Sequence, residues 1–145
     1  MQHQYQSKKG QSLIEVVVAV GVVVLLVTGL IVGSTASMKG SEFSVAKSRA
    51  LKYSQEGIEL SRSLRDGSWA TFAARSGLYC LAKDGIWPAS SSSSCPINID
   101  GTFTRGVTFA WDGLNNRMRV TSTVTWIDGN GTHNSQLETY FTQWK

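Results

Sequence analysis

The side chains best suited to chemistry in this chain of 145 residues are few. There are two cysteines, Cys80 and Cys95, and two histidines, His3 and His133. These numbers exclude multi-histidine metal sites and four-cysteine zinc sites, because both need more ligands of one kind. The cysteines leave two chemistries open, a disulfide or a reactive thiol. The thiol is the weaker interpretation, because its usual base is a histidine and none is close to either cysteine in sequence.

No set of acid, base and nucleophile stands out in the rest of the sequence, so we do not expect an enzyme. The run Ser90–Ser94 has the composition of a loop tip, where a catalytic serine is not expected. We also expect no cofactor and no bound metal. The net charge of +4 is too small to indicate nucleic acid as a partner. The function must therefore follow from where the chain is placed and what it assembles with.

The most informative residue is Glu15, a carboxylate near the start of a long apolar run. Residues 13–33 read LIEVVVAVGVVVLLVTGLIVG. As a helix they would extend roughly 30 Å, which is the thickness of a bilayer core. A secretory signal peptide has a shorter apolar region, and a plain anchor or a buried core helix gives no reason for an acid. Because a charge in hydrocarbon is costly, such a residue is usually functional or paired.

The junction in front of this run resembles the signal of type IV prepilins. It reads Lys8-Lys9-Gly10-Gln11-Ser12-Leu13-Ile14-Glu15-Val16. That family has a short basic leader, a glycine before the cleavage site, and a glutamate at the fifth residue of the mature chain. The resemblance covers residues 8–33. It implies cleavage after Gly10 by a prepilin peptidase and N-methylation of the new terminus, Gln11, where many members have Phe.

Each part of this signal has a physical role. Lys8 and Lys9 hold the leader on the cytoplasmic side of the membrane. Gly10 lets an extended backbone approach the protease closely. Cleavage creates an amine on Gln11, four residues before Glu15. We hypothesise that this amine pairs with Glu15 of a neighbouring subunit, which would offset part of the cost of burying the acid and fix the axial register.

Residues 1–10 are predicted to be the leader. Residues 11–34 are predicted to form a helix that spans the membrane or lies in the filament core, and residues 35–145 to form a headgroup. From residue 35 to 66 there is no proline, and residues at steps of three and four form one apolar face. These residues are Phe43, Ala46, Ala50, Tyr53, Gly57, Leu60 and Leu64. The pattern predicts an amphipathic helix over 35–66 that continues the first one. Gly57 on this face indicates the close approach of a sheet.

A long connection is predicted at residues 67–101, which are rich in Gly, Pro and Ser. Loops of this length usually have a function of their own or are held by a cross-link. Because the compartment beyond an inner membrane is oxidising, we expect Cys80 and Cys95 to form a disulfide across the connection. By loop entropy, the bridge would stabilise the fold by about 3 kcal/mol.

The last part of the chain, residues 102–145, predicts a meander of β-strands. The strands are expected at Thr102–Trp111, Met118–Ile127 and Gln136–Trp144, which are rich in β-branched and aromatic residues. In the middle strand, Met118, Val120, Val124 and Trp126 share one face, which we expect to pack on the amphipathic helix.

The turn before the last strand, Asp128-Gly129-Asn130-Gly131-Thr132, has two further interpretations. It is similar to the start of a calcium loop, but His133 replaces the required glycine and Thr139 the bidentate glutamate, so we predict a hairpin turn. Asn130-Gly131-Thr132 also fits the acceptor sequence for N-glycosylation, a pattern too short to predict modification by itself.

Taken with the elements, the resemblance implies an α+β protein that serves as a structural subunit of a type IV pilus-like filament. The precursor would lie in the inner membrane and then enter a filament at the periplasm or cell surface. Its partners would be the prepilin peptidase, other pilin subunits and the inner-membrane assembly platform. Phe103–Thr108 and Val124–Trp126 are similar to minor components, which favours a minor pilin. A minor pseudopilin of a type II secretion system and a membrane-tethered binding module that does not polymerise stay open as alternatives.

Overall fold

A computed structural model describes residues 9–143, with side chains from residue 13 onward. The elements are α1 (Lys9–Gly67), α2 (Trp69–Ala73), β1 (Gly77–Cys80), β2 (Phe103–Asp112), β3 (Arg117–Asp128) and β4 (Gly131–Phe141). Lys8 and Trp144 lie outside the described residues, and so do the side chains of Lys9, Gly10 and Gln11. The chain divides into two compact units within α1, between Glu42 and Phe43.

The first unit is the N-terminal part of α1. It contains a segment that is long and apolar enough to cross a membrane. Every side chain from Leu13 to Glu42 is exposed. Thr28 Oγ1 donates to the carbonyl of Val24, 2.8 Å away and one helical turn earlier. Because the helix satisfies its own backbone and this hydroxyl, the segment is compatible with lipid as a solvent.

The second unit contains a four-stranded antiparallel sheet in the order β1-β2-β3-β4, so that β1 and β4 are its edges. The last three strands are joined by tight turns, and the register pairs Asp112 with Arg117 and Asp128 with Gly131. Along β3 the buried residues alternate from Met118 to Trp126. The α+β arrangement and the predicted buried face of this strand are therefore confirmed.

Two details of the predicted elements were wrong. The connection at 67–101 contains α2 and the four-residue strand β1, which has no alternating pattern and depends on pairing with β2. The last strand begins at Gly131 rather than Gln136. Residues 131–135 are polar and poor in strand formers, but the hairpin pairs them with β3 and this overrides their weak propensity.

The C-terminal part of α1 packs on the sheet through two groups of buried side chains. One group surrounds Phe72 and Phe109, and the other surrounds Trp126. The predicted helix face contributes to both groups, from Phe43 to Leu64, and is confirmed. The same face also buries Ser54, whose hydroxyl donates to the carbonyl of Ala50 at 3.0 Å.

Gly57 lies in close contact with β3. A Cβ built on Gly57 would clash with the hydroxyl of Ser122 and lie 3.2 Å from Ser122 Cβ. The close approach of a sheet at this glycine is therefore confirmed. Ser122 is fully buried, and within the described residues its hydroxyl has no hydrogen-bond partner.

We expect Gly57→Ala to lower the free energy of unfolding by about 1–3 kcal/mol, because overpacking forces the helix away from the sheet. Denaturant unfolding of the full chain in detergent measures this. Gly40→Ala is the control, since an added Cβ there meets nothing within 4 Å and alanine favours the helix. Adding Ser122→Ala should restore part of the loss. Equal stability of the two glycine variants would contradict the close approach.

Candidate functional site

Glu15 lies among exposed apolar side chains on α1. Its neighbours Leu13, Ile14 and Val16 are 71%, 64% and 59% exposed. Among the side chains of residues 13–143, Glu15 has no hydrogen bond and no ion pair. The helix places Gln11 one turn before Glu15, on the same side of α1. The acid is thus close in space to the residue that cleavage after Gly10 would make the N-terminus.

Among the described residues of its unit, nothing covers the apolar segment around Glu15. The large apolar side chains from Leu13 to Val32 are 48–74% exposed. A continuous apolar surface of this extent is typical of a segment covered by lipid or by other helices. The segment is therefore compatible with a helix that crosses a membrane.

Cys80 and Cys95 are joined in a disulfide, as predicted. Cys80 is the last residue of β1 and pairs with Gly106 of β2. A Cβ added to Gly106 would lie 2.7 Å from Leu78 Cδ1 and 3.5 Å from Cys95 Sγ. The bridge therefore lies next to the backbone of β2 at Gly106, and the tightest contact of an added side chain there would be with Leu78.

We expect loss of this disulfide to lower the free energy of unfolding by about 2–4 kcal/mol, because the unfolded chain gains freedom over the bridged loop. Cys80→Ser and Cys95→Ser should each match the effect of reducing the wild-type chain. Denaturant unfolding with and without reductant measures this, and the double serine variant should not respond to reductant. If both cysteines can be alkylated in protein isolated without reductant from an oxidising compartment, the disulfide between them is contradicted.

Arg105 organises the polar contacts of the headgroup, and its side chain is completely buried. Its Nε donates to the carbonyl of Leu81 at 3.0 Å, and its Nη2 to that of Ala82 at 2.6 Å. Its Nη1 donates to the carbonyl of Tyr53 at 3.3 Å and lies 2.8 Å from the carboxylate of Glu56. One guanidinium thus joins α1, β2 and the start of the disulfide loop.

The backbone of Arg105 is held by the segments on both sides of the disulfide. Asn98 Oδ1 accepts from the N–H of Arg105 at 2.8 Å, and Asn98 Nδ2 donates to its carbonyl at 3.0 Å. The N–H of Leu81 donates to the same carbonyl at 3.1 Å. Both ends of the bridged loop are therefore fixed on one residue of β2.

Arg105 was not predicted to lie in the core, although its position in the sequence indicates it. Arg105 stands between Phe103 and Val107, and the two-residue period of a strand places all three on the same face. All three are buried. A charged residue on an otherwise apolar strand face needs a partner, and Glu56 next to Gly57 on the helix is the acid that supplies it.

Asp100 ties the same loop to α1 at the surface. Its carboxylate accepts from Lys83 Nζ and from the hydroxyl of Tyr53, both at 2.6 Å. These hydrogen bonds, with Lys83 first, hold the pKa of Asp100 below its usual value. The Asp100 carboxylate in turn raises the pKa of Lys83 and of Tyr53. Because the groups are exposed, they orient the loop more than they stabilise the fold.

The turn between β3 and β4 is the predicted hairpin turn. Asp128 Oδ1 accepts from the N–H of Asn130 at 2.7 Å and lies 2.9 Å from His133 Nε2. The bond from Asn130, followed by that from His133, lowers the pKa of Asp128. In the part of the chain that the structure describes, no three His, Cys, Asp or Glu residues lie close enough to hold a metal ion.

The candidate functional features are thus an exposed apolar helix segment that contains Glu15 and a second unit that is held together at Arg105 and by a disulfide. The chain matches no protein-family model, no curated protein and no solved structure.

Proposed function

We propose that this chain is a structural subunit of a type IV pilus-like filament, cleaved after Gly10 by a prepilin peptidase and assembled through the N-terminal part of α1. The observation that carries the proposal is Glu15, the fifth residue after a glycine at a basic–apolar junction. A membrane anchor alone gains nothing from an acid at this position, whereas an assembly of helices can supply its partner.

The uncovered surface of α1 supports assembly through this helix. In the precursor, lipid covers the apolar side chains from Leu13 to Val32. In the filament, helices of neighbouring subunits replace the lipid, and the amine of Gln11 on one subunit meets Glu15 of another. Each step keeps the apolar surface away from water, and the second also pairs the acid.

The headgroup supports a destination outside the cytoplasm. A disulfide such as Cys80–Cys95 persists in an oxidising compartment and is rare in the cytosol. The buried contacts of Arg105 and this bridge hold the loop against α1 and β2. A headgroup of this kind stays folded on an exposed filament, where it faces solvent and other subunits.

Within this class we assign the chain to the minor pilins. The support is the likeness of Phe103–Thr108 and Val124–Trp126 to minor components, which minor pseudopilins of type II secretion share. Neighbouring genes would distinguish a pilus from a secretion system better than any residue of this chain.

Processing provides the most direct test. When the full chain is expressed with a prepilin peptidase, intact mass should show loss of residues 1–10 and a terminus at Gln11. Gly10→Val should leave the full-length precursor in the membrane, because a branched side chain blocks close approach of the backbone to the protease. Gly21→Val is the matched control and should be cleaved normally, since it changes a glycine in the apolar segment away from the junction.

Two results would overturn the assignment. One is equal cleavage of the wild type and Gly10→Val. The other is a wild-type mature chain that starts at Ser37, which is the product expected from signal peptidase acting after the apolar segment.

A further inference from the structure

The turn between β3 and β4 carries a tripeptide that the proposed function does not use. Among the asparagines of the chain, only Asn130 is followed two positions later by a serine or threonine, Thr132. The residue between them is Gly131 and not proline, so the tripeptide satisfies the acceptor sequence for N-linked glycans. A sequence match of three residues needs support from the position of those residues in the fold.

The structure provides that support at the hairpin tip. The last β3–β4 pair joins Asp128 to Gly131, which leaves Gly129 and Asn130 as the two loop residues. All residues from Gly129 to Thr132 are exposed. A Cβ added at Gly129 or Gly131 would meet nothing within 4 Å, so the space around Asn130 is open on both sides.

The two groups that an acceptor site needs are also free. Within the described residues, the side-chain amide of Asn130 and the hydroxyl of Thr132 make no hydrogen bond, and the only bond of Asn130 outside the strand ladder is from its backbone N–H to Asp128. Asn98 and Asn115 differ in this respect, because their side-chain amides donate hydrogen bonds. Asn98 is half-buried, and its amide is fully used on Arg105.

We propose that Asn130 is an acceptor for an N-linked oligosaccharide. The donor would be a lipid-linked oligosaccharide diphosphate, and the catalyst a membrane-bound oligosaccharyltransferase. Asn130 Nδ2 forms a bond to C1 of the first sugar, and the bond from C1 to the lipid diphosphate oxygen breaks. The diphosphate leaves with the electron pair, and the amide gives up one proton to the enzyme. The hydroxyl of Thr132 serves as the recognition group.

The fold can carry such a modification without rearrangement. A glycan on Asn130 would begin in open space, because Gly129 to Thr132 are exposed and, among the described residues, nothing lies within 4 Å of a Cβ added at Gly129 or Gly131. The turn itself is held by Asp128, which contacts the backbone of Asn130 and the ring of His133 rather than the amide that is modified. The inference rests on the proposed function in one respect, since the headgroup must reach the side of the membrane where the transferase acts.

The test expresses the full chain in bacteria that contain a defined lipid-linked oligosaccharide and its transferase. Intact mass of the detergent-purified protein should increase by the mass of one oligosaccharide, and peptide mapping should place it on Asn130. Asn130→Gln and Thr132→Val should lose the added mass, while Thr132→Ser should keep it. Thr132→Val is nearly isosteric and retains the strand preference of a β-branched residue, so its loss reports the hydroxyl and not the fold.

The redox state of Cys80 and Cys95 in the same samples separates the two ways in which the test can fail. Unmodified Asn130 with an oxidised disulfide, in cells that modify a control acceptor protein, would overturn the inference alone. Unmodified Asn130 with reduced cysteines would overturn both the inference and the export that the proposed function requires. A mass change that corresponds only to conversion of the Asn130 amide to an acid would also overturn it.

Discussion

Replacing Glu15 with valine should reduce entry of the subunit into filaments about tenfold or more, while membrane insertion stays intact. The reason is that assembly loses the pairing of Glu15 with the amine of Gln11 on a neighbour, and 1.4 kcal/mol of pairing energy corresponds to a factor of about ten. Insertion becomes more favourable because a carboxylate is removed from hydrocarbon. Cleavage after Gly10 should continue, since the basic leader and Gly10 are unchanged.

The measurement is co-expression of differently tagged wild-type and Glu15→Val chains, followed by shearing and blotting of filament and membrane fractions. Thr28→Val is the matched control, because it also replaces a polar residue of the apolar segment by valine. The hydroxyl of Thr28 bonds within its own helix, to the carbonyl of Val24, so assembly should not depend on it.

Two outcomes would contradict the assigned role of Glu15. Equal recovery of the wild type and Glu15→Val in filaments would remove the pairing and its effect on register. Retention of both chains in the membrane under conditions that produce filaments would favour a tethered module that does not polymerise.

Arg105→Met should lower the free energy of unfolding of the headgroup by about 2–4 kcal/mol, because each buried carbonyl left without a donor costs about 1–3 kcal/mol. Glu56 adds less to the loss, since its side chain is 43% exposed and can be solvated. Methionine fills much of the same volume but leaves the carbonyls of Leu81 and Ala82 without their donor. Arg105→Lys should recover only part of the loss, because an ammonium cannot reproduce the fork that reaches both carbonyls and Glu56.

Arg119→Met provides the comparison for this experiment. Arg119 is exposed on β3 and has no ion pair within residues 13–143, so its replacement should change stability by less than about 0.5 kcal/mol. Both variants are compared with the wild type by denaturant unfolding of the full chain. Similar stability of Arg105→Met and Arg119→Met would show that the buried contacts of Arg105 contribute nothing.

Most of the architecture was predictable because its patterns are local. The period of three and four from Phe43 to Leu64 identifies a helix face, and the period of two in β3 identifies a strand face. The strand β1 was not predictable in this way. It is four residues long, and what makes it a strand is its pairing with Gly106 to Phe109 of β2, which no local pattern encodes.

Within the candidate site, Glu15 and the cysteines could be identified from local sequence, whereas the role of Arg105 could not. Glu15 and the cysteines stand out because each is rare in its surroundings. The role of Arg105 depends on which carbonyls lie within its reach, and these come from Tyr53, Leu81 and Ala82, far from it in sequence. Alternation along β2 could have placed Arg105 in the core, but its acceptors depend on the path of the disulfide loop.

The order of the strands also has a consequence for the route by which the headgroup folds. Strands β2, β3 and β4 are neighbours in the chain as well as in the sheet, so each pairing closes a short loop at a small entropic cost. Docking of α1 is the long-range event, as shown by the hydroxyl of Ser54, which bonds to the carbonyl of Ser135, 81 residues later. Because such distant contacts slow folding, we expect the docking of the helix to be slower than the formation of the β2-β3-β4 sheet.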